Sequence, residues 1–168
     1  FIKLILFYCS FCFPRDKYIW IFKGFADRYI DNSKYLFEHV NNNCSQVRAI
    51  WITSNEQTYK QVLSYGYEAY KFRSVKGLYY SLVAKVYFYG DYLHWVLSGG
   101  AICVNLWHGT PLKKIEHDIK SGGLSPLFNG SISSRMKWGH LYRRPDYVLS
   151  SSEYISKSTL MSAFRVDY

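Results

Sequence analysis

The chain has 168 residues, of which 49% are hydrophobic, and it carries a formal net charge of +9. This length and composition are typical of one folded domain with its own core, and they exclude a disordered chain. The positive charge favours an anionic partner such as anionic lipid, a phosphorylated substrate or nucleic acid, although a solvated basic surface is the plainer alternative.

The first segment, residues 1–16, is expected to stand apart from the rest of the chain. Residues 4–13 are apolar except for Ser10. Such a stretch is shorter than the roughly 20 residues that a membrane-spanning helix needs, and it lacks the basic leader of a signal peptide. It is expected to be a buried strand, an interfacial anchor or the remnant of a membrane segment.

From residue 17 to residue 168, strand signals and helix signals alternate. Strands are predicted at 17–22, 47–53, 68–72, 85–89, 101–106 and 146–149, and helices at 33–41, 54–63, 74–83, 135–142 and 153–164, with a helical turn at 92–97. Asn32 or Ser33 is expected to cap the first of these helices, and Ser54 the second. Residues 121–134 are rich in Gly and Ser and predict a loop. Such alternation is typical of the α/β class, a parallel sheet covered by helices on both faces.

The cysteines and the other polar clusters do not form a standard metal site. Cys9 and Cys12 form a Cys-x-x-Cys pair, but Cys44 and Cys103 are isolated, so a zinc ribbon lacks its second pair. The spacing of His117 and Asp118 from other histidines also matches no standard site. No phosphate-binding loop, dinucleotide fingerprint or nucleic-acid recognition motif is present, so we expect no metal, no cofactor and no nucleic-acid partner.

The most informative stretch is residues 107–114, WHGTPLKK, which follows the predicted strand 101–106. Gly109 permits a sharp turn after that strand. Thr110 is a good helix N-cap, and Pro111 fits the first helical position, so a short helix is expected to begin there.

His108 is therefore expected where a strand ends and a helix begins. In open α/β sheets, ligands bind at the carboxyl ends of the strands, and a helix N-terminus suits a phosphate group. An imidazole beside such an anion site is a candidate acid or base for phosphoryl chemistry, while a structural histidine is the plainer alternative.

The segment 107–114 resembles the histidine motif of the CDP-glycerol:poly(glycerophosphate) glycerophosphotransferases, the teichoic acid polymerase family of bacterial cell-wall synthesis. Three further segments resemble blocks of that family in the same order, at residues 24–37, 76–86 and 146–164. The resemblance implies a Rossmann-like domain, similar to the N-terminal domain of a GT-B glycosyltransferase. It also implies that residues 17–168 correspond to the acceptor-side half, and that a C-terminal donor domain is missing from this sequence.

The same resemblance implies an activity and a location. The family transfers glycerol phosphate, or a related polyol phosphate, from CDP-glycerol or a similar CDP-polyol to the hydroxyl end of a lipid-linked or polymeric polyol-phosphate acceptor, and CMP leaves. The expected location is peripheral, on the cytoplasmic face of the bacterial membrane, with an anionic membrane surface as a partner. The half-chain alone is expected to be inactive. The alternative is a truncated, non-catalytic module that binds anionic polymer or membrane.

The resemblance makes His108 the candidate general base. Only a neutral imidazole takes up a proton, so activity is expected to fall below about pH 6.5, where histidine ordinarily titrates. The candidate substrate-binding residues, placed beside the same cleft, are Gly109, Thr110, Lys113, Asp31, Asn32 and Ser151. For Lys113 a solvated lysine is the plainer alternative, and for Asn32 a helix cap.

Overall fold

The computed structural model describes residues 2–167, apart from the side chains of residues 129 and 134–136. Its strands form one six-stranded sheet in the order β3-β2-β1-β4-β5-β6, and every neighbouring pair is parallel. The strands are β1 (Asp16–Lys23), β2 (Arg48–Thr53), β3 (Ala69–Lys71), β4 (Ala84–Tyr89), β5 (Ile102–Asn105) and β6 (Tyr147–Val148). The expected Rossmann-like α/β fold is thus confirmed.

Helices occupy most of the connections between the strands. They are α1 (Ile2–Cys9), α2 (Asp31–Asn43), α3 (Glu56–Ser64), α4 (Val75–Val83), α5 (Ser125–Asn129), α6 (Ile132–Lys137), α7 (Gly139–Tyr142), α8 (Glu153–Ile155) and α9 (Met161–Phe164). A π-helical segment, Ser156–Leu160, joins α8 to α9, and short 3-10 turns lie at Ser10–Cys12, Phe25–Asp27, Trp95–Leu97 and Glu116–Asp118.

Two apolar clusters cover the two faces of the sheet. On one face Phe22 and Trp51 pack with Phe37 of α2 and Val62 of α3. On the other face the cluster includes Cys103 of β5, together with residues of α4 and α1. β2 is buried from Ala49 to Thr53, as a strand covered on both faces must be.

Serine side chains cap the starts of two helices, α4 and α8. Ser74 accepts a hydrogen bond from the Gly77 amide, and Ser152 accepts one from the Ile155 amide. The cap of α3 is Asn55, whose side chain accepts from two amides of the first turn, so the expectation for Ser54 was wrong. α2 begins at Asp31 without a side-chain cap, so the capping role expected for Asn32 or Ser33 was also wrong.

The N-terminal segment is helical, which rules out the expected buried strand. α1 packs Leu4 and Phe7 against the sheet cluster, and the Phe7 ring lies 5.4 Å from that of Trp95. An apolar run of ten residues is compatible with either a strand or a helix, so the sequence does not distinguish the two structures. The surface against which the segment packs decides between them. Within residues 2–167, no helix has the length and apolar character needed to cross a bilayer.

Two further expectations about the second half of the chain were wrong. The expected loop at 121–134 contains α5 and the start of α6. The helix expected from Pro111 is absent, and residues 106–115 follow an irregular path. Leu112 is 93% exposed there, so no burial offsets the cost of starting a helix.

Candidate active site

Three parallel strands end level with one another at the edge of the sheet that carries His108. Lys23 of β1 pairs with Tyr89 of β4, and Tyr89 pairs with Asn105 of β5. The strand order reverses between β1 and β4, which is the position where open α/β sheets bind their ligands. His108 follows β5 by three residues and reaches toward this point.

The His108 ring is held by a carbonyl group. Its Nδ1 lies 2.9 Å from the carbonyl oxygen of Gly90, the residue that follows β4. A carbonyl oxygen only accepts hydrogen bonds, so Nδ1 carries the hydrogen. The neutral ring therefore presents the lone pair of Nε2, which is the form that a general base needs.

Two aromatic rings fix the plane of the imidazole. The Phe25 and Trp107 rings each lie 4.2 Å from the His108 ring, centroid to centroid. Trp107 is anchored in turn by an edge contact with Phe164 of α9, at 5.2 Å. The His108 side chain is exposed to solvent, but the contacts with Phe25 and Trp107 constrain the orientation of its ring.

The carbonyl of Gly90 is itself fixed by the residues around it. A Cβ at Gly90 would lie 3.0 Å from the Phe25 nitrogen, so the two loops touch at this glycine. The Asp91 carboxylate then ties the loops together, because it accepts from Lys23 Nζ at 2.6 Å and from the Ala26 amide at 2.9 Å.

Sequence reasoning missed Phe25, Gly90 and Asp91 as site residues. The Gly-Asp pair directly after a predicted strand was the available signal, because the carboxyl ends of parallel strands meet at one edge of a sheet.

Asn32 is a site residue, although not as a cap. Its Nδ2 donates to the carbonyl oxygens of Leu106 and Trp107, both at 3.0 Å. Trp107 adopts a left-handed backbone with φ +43°, and its amide donates to the Asn105 side chain at 2.9 Å. Two asparagines therefore hold the strained turn that presents His108.

A groove of about 220 Å³ lies beside this turn and brings together four of the predicted substrate-binding residues. Asn32, Gly109, Thr110 and Ser151 line it, together with apolar side chains from the loops after β5 and β6, from α8 and from the π-helical segment. Lys113 and Asp31 are exposed and lie outside this lining. Because no helix starts at Pro111, Lys113 does not occupy the expected first helical turn, and the expected helix-end phosphate site is wrong.

Two further histidines, His94 and His117, have structural surroundings. His94 stacks on Phe72 at 3.8 Å, and burial lowers its pKa to about 4. Burial also lowers the pKa of His117, whose Nδ1 lies 2.9 Å from the Phe128 carbonyl oxygen. Across the described residues, no three His, Cys, Asp or Glu side chains are grouped as metal ligands.

Comparison with known proteins shows similarity to teichoic acid polymerases. The chain is 26% identical over 162 residues to the teichoic acid poly(glycerol phosphate) polymerase of Staphylococcus epidermidis, a match that covers 88% of this chain and 20% of the relative. The wall teichoic acid polymerase TagF has the same fold, with a TM-score of 0.76 at 21% identity for a histidine-to-asparagine variant soaked with CDPG, and 0.72 at 21% identity for another structure. Each of these structural matches covers 98% of this chain and 40% of the solved chain.

The chain thus spans about one fifth of the curated relative and two fifths of the solved structures. A family profile extends this relationship along almost the whole sequence, from residue 5 to residue 168, and includes the histidine turn and the groove beside it. The chain belongs to the CDP-glycerol:poly(glycerophosphate) glycerophosphotransferase family.

Proposed function

We propose that this chain is the acceptor-side half of a glycerophosphotransferase. The complete enzyme transfers glycerol phosphate, or a related polyol phosphate, from CDP-glycerol or a similar CDP-polyol to the hydroxyl end of a teichoic-acid or capsular polymer. One observation carries the proposal: the Gly90 carbonyl accepts from His108 Nδ1, which leaves Nε2 free at the reversal point of the sheet.

In the proposed reaction, His108 Nε2 takes the proton of the acceptor's terminal hydroxyl. The hydroxyl oxygen forms a bond to the phosphorus that bears the glycerol, and the bond from that phosphorus to the bridging oxygen of CMP breaks. CMP leaves with the electron pair, and the imidazolium later returns its proton to the CMP phosphate or to water. General-base assistance of this kind contributes about 10²- to 10⁴-fold to a rate.

The groove beside His108 is the proposed binding place of the acceptor end. Thr110 and Ser151 offer hydroxyl groups there, and the backbone at Gly109 offers an N–H group. Asn32 keeps the turn in place. Asp31 and Lys113 are exposed and lie outside the lining of the groove, and Lys113 contributes positive charge toward a phosphate-rich chain.

The test is the substitution His108→Gln in the natural polypeptide that carries this chain. We expect CMP release to fall at least 100-fold with an unchanged thermal midpoint, since His108 contributes no core packing. The matched control is His39→Gln, an exposed histidine on α2, which should leave turnover unchanged. Wild-type turnover in the His108→Gln protein would refute the role.

A second feature supports contact with an anionic membrane surface. Ile2, Ile5 and Leu6 of α1 are 73%, 48% and 46% exposed, and Lys3 lies among them on a chain of net charge +9. An exposed apolar helix on a basic protein is typical of an interfacial anchor, although α1 itself carries one basic residue, Lys3. We propose that this face holds the protein peripherally at the cytoplasmic face of the membrane, whether the chain acts as a transferase half or as a non-catalytic module.

Co-sedimentation with vesicles measures this contact. Binding to phosphatidylglycerol vesicles should exceed binding to phosphatidylcholine vesicles, and the double substitution Ile5→Glu and Leu6→Glu should reduce it at least tenfold. Leu63→Glu, on α3 at the opposite face of the sheet, is the control. Equal binding by all three proteins would contradict the proposed surface.

A further inference from the structure

The short turn Phe25–Asp27, directly after β1, carries a ring that constrains His108. The Phe25 ring lies 4.2 Å from the His108 ring, centroid to centroid. A connection beyond the end of a strand is not fixed by the hydrogen bonds of the sheet, so its position depends on the contacts of its own residues. Those contacts decide where the Phe25 ring lies and, through it, how the imidazole is oriented.

The backbone of this turn is strained at two successive residues. Ala26 has a φ of +50° and Asp27 a φ of +57°, in the left-handed region that a residue with a Cβ seldom occupies. Such conformations persist where the surrounding contacts impose them, and they gather at functional sites. Because neither residue is a glycine, the turn needs contacts from outside to keep its shape.

Asp27 receives those contacts from the neighbouring strand and helix. Its Oδ1 accepts from Thr53 Oγ1 at the end of β2, and its Oδ2 accepts from the Ser54 amide, both at 2.8 Å. Its backbone carbonyl accepts from Thr58 Oγ1 of α3 at 2.9 Å. Both threonines are buried, so close packing fixes the hydroxyl groups that donate to Asp27.

A second carboxylate fastens the turn on its other side. The Ala26 amide donates to Asp91 Oδ2 at 2.9 Å, and Asp91 Oδ1 accepts from Lys23 Nζ at 2.6 Å. In the sheet, β1 lies between β2 and β4. Asp27 therefore attaches the turn to the end of β2, and Asp91 attaches it to the connection that follows β4, where the Gly90 carbonyl also holds His108.

A carboxylate suits the position of Asp27 because both of its oxygens accept hydrogen bonds and neither donates. Thr53 presents an O–H group to it, and Ser54 presents an N–H group. An asparagine in the same place has one oxygen and one NH2 group, so one of the two donors would face another donor. The charge of the carboxylate also strengthens each hydrogen bond relative to one with a neutral acceptor.

We propose that Asp27 is a positioning residue of the site: by fixing the strained turn to the end of β2, it holds the Phe25 ring against His108 and keeps Nε2 directed at the acceptor hydroxyl. This inference rests on the proposed function, in which His108 is the base. Asp27 acts on the reaction through Phe25 and His108.

The first test is Asp27→Asn in the natural polypeptide that carries this chain. We expect kcat for CMP release to fall about tenfold, because a small displacement of a catalytic group costs up to about 100-fold in rate. The acceptor KM should be unchanged, since Asp27 is not among the residues that line the groove. The matched control is Asp16→Asn at the opposite end of β1, where the carboxylate accepts from the Tyr18 amide at 2.9 Å. It should leave kcat unchanged.

A spectroscopic measurement separates positioning of the ring from a general loss of structure. The chemical shifts of the His108 ring protons, measured in histidine-labelled protein, depend on the aromatic rings beside them. Phe25→Leu gives the shift of a site without the Phe25 ring, and His108→Gln identifies the signal. We expect Asp27→Asn to move the His108 signal from the wild-type value toward the Phe25→Leu value, while Asp16→Asn leaves it in place.

A second pair of variants keeps the inference testable if Asp27→Asn does not fold. Thr53→Val removes the hydroxyl group that donates to Asp27, so it should move the His108 signal in the same direction by a smaller amount. Thr53→Ser keeps that hydroxyl group and should retain the wild-type signal.

The outcomes separate this inference from the proposed function. Wild-type turnover by His108→Gln would overturn the proposed function itself, whereas the His108 signal is measured without turnover. A wild-type His108 signal in folded Asp27→Asn would overturn only the inference about Asp27, and so would a wild-type signal in Thr53→Val if Asp27→Asn does not fold. A displaced signal combined with a wild-type kcat would overturn the inference as well.

Discussion

The reversal of strand order divides the sheet into two sides, the first with β1 to β3 and the second with β4 to β6. These two sides are built differently. On the first side, β1 and β2 have 8 and 6 residues, and helices α2 and α3 have 13 and 9. On the second side, β5 and β6 have 4 and 2 residues, α5, α6 and α7 have 5, 6 and 4, and the last helical run, residues 153–164, changes to π-helical geometry at Ser156–Leu160. His108 lies between them: its own strand belongs to the second side, and its ring is held by Gly90 and Phe25 at the ends of β4 and β1.

The difference shows which forces hold each side. The first side has a cluster of buried aromatic rings around Phe37, which contacts Phe22, Tyr29, Trp51 and Tyr67. The second side has a small buried cluster at Leu160, Ala163 and Phe164, and its loops depend on individual hydrogen bonds such as those of Asn32. Burial thus supplies the scaffold, and side chain–backbone contacts position the site.

The largest expected effect is the loss of stability when a buried phenylalanine is removed from either side. Phe37 is 0% exposed on the first side, and Phe128 is 5% exposed on the second. Replacing a buried phenylalanine by alanine costs about 3–5 kcal/mol. We expect Phe37→Ala at the upper end of that range and Phe128→Ala at the lower end, because Phe37 contacts four aromatic rings whereas Phe128 makes an edge contact with the His117 ring. Urea unfolding measures both values, and a larger loss for Phe128→Ala would reverse the comparison.

A glycine substitution separates the site from the scaffold. A Cβ at Gly90 would press against the backbone of Phe25, with the nearest atom at 3.0 Å, and so move the carbonyl that holds His108. We expect Gly90→Ala to lower CMP release about tenfold, which corresponds to about 1.4 kcal/mol in the barrier. Gly123→Ala, whose added Cβ meets nothing within 4 Å, is the matched control. Equal turnover by the two variants would show that the Gly90 carbonyl does not position the base.

The smallest effect concerns an ion pair on the first side. Arg48 Nη2 lies 2.7 Å from Glu68 Oε1. Burial alone would raise the pKa of Glu68, but the hydrogen bonds from Arg48 and Tyr70 lower it below its usual value. A lowered carboxyl pKa stabilises the fold above the unfolded-state pKa, and this contribution disappears as the pH falls through the folded-state pKa.

Glu68→Gln should therefore reduce the free energy of unfolding at pH 7 by no more than about 1 kcal/mol, because the pair is partly exposed. The difference from wild type should vanish in strongly acidic solution. Glu153→Gln, whose pair with Lys157 is more exposed, should change the stability less at pH 7. A Glu68→Gln effect that persists unchanged at acid pH would exclude the ion pair as its cause.

The strands were largely predictable because their signal is local. Residues 47–53 and 85–89 are short apolar runs, and both correspond to strands in the interior of the sheet that are buried or half-buried. Their composition alone is therefore enough to predict them as strands. The short elements near the site were not predictable, since residues 111–114 present good helix-start residues without an apolar face to bury. The same limit applies to Asn32. An asparagine before a helix can cap that helix or donate a hydrogen bond to another loop, and the sequence does not distinguish the two roles.

By itself the sequence determined the α/β class, the alternation of its elements, the place of His108 shortly after a strand and the resemblance to one family, because each depends on residues that are adjacent in the chain. Only the tertiary structure decided that residues 2–12 are helical, that the Gly90 carbonyl holds the imidazole, and that Asn32 donates to the backbone of the histidine turn. These contacts join residues from different loops, 18 positions apart for Gly90 and His108 and 75 positions apart for Asn32 and Trp107. Such contacts form only when the parallel strands bring their carboxyl ends to one edge of the sheet.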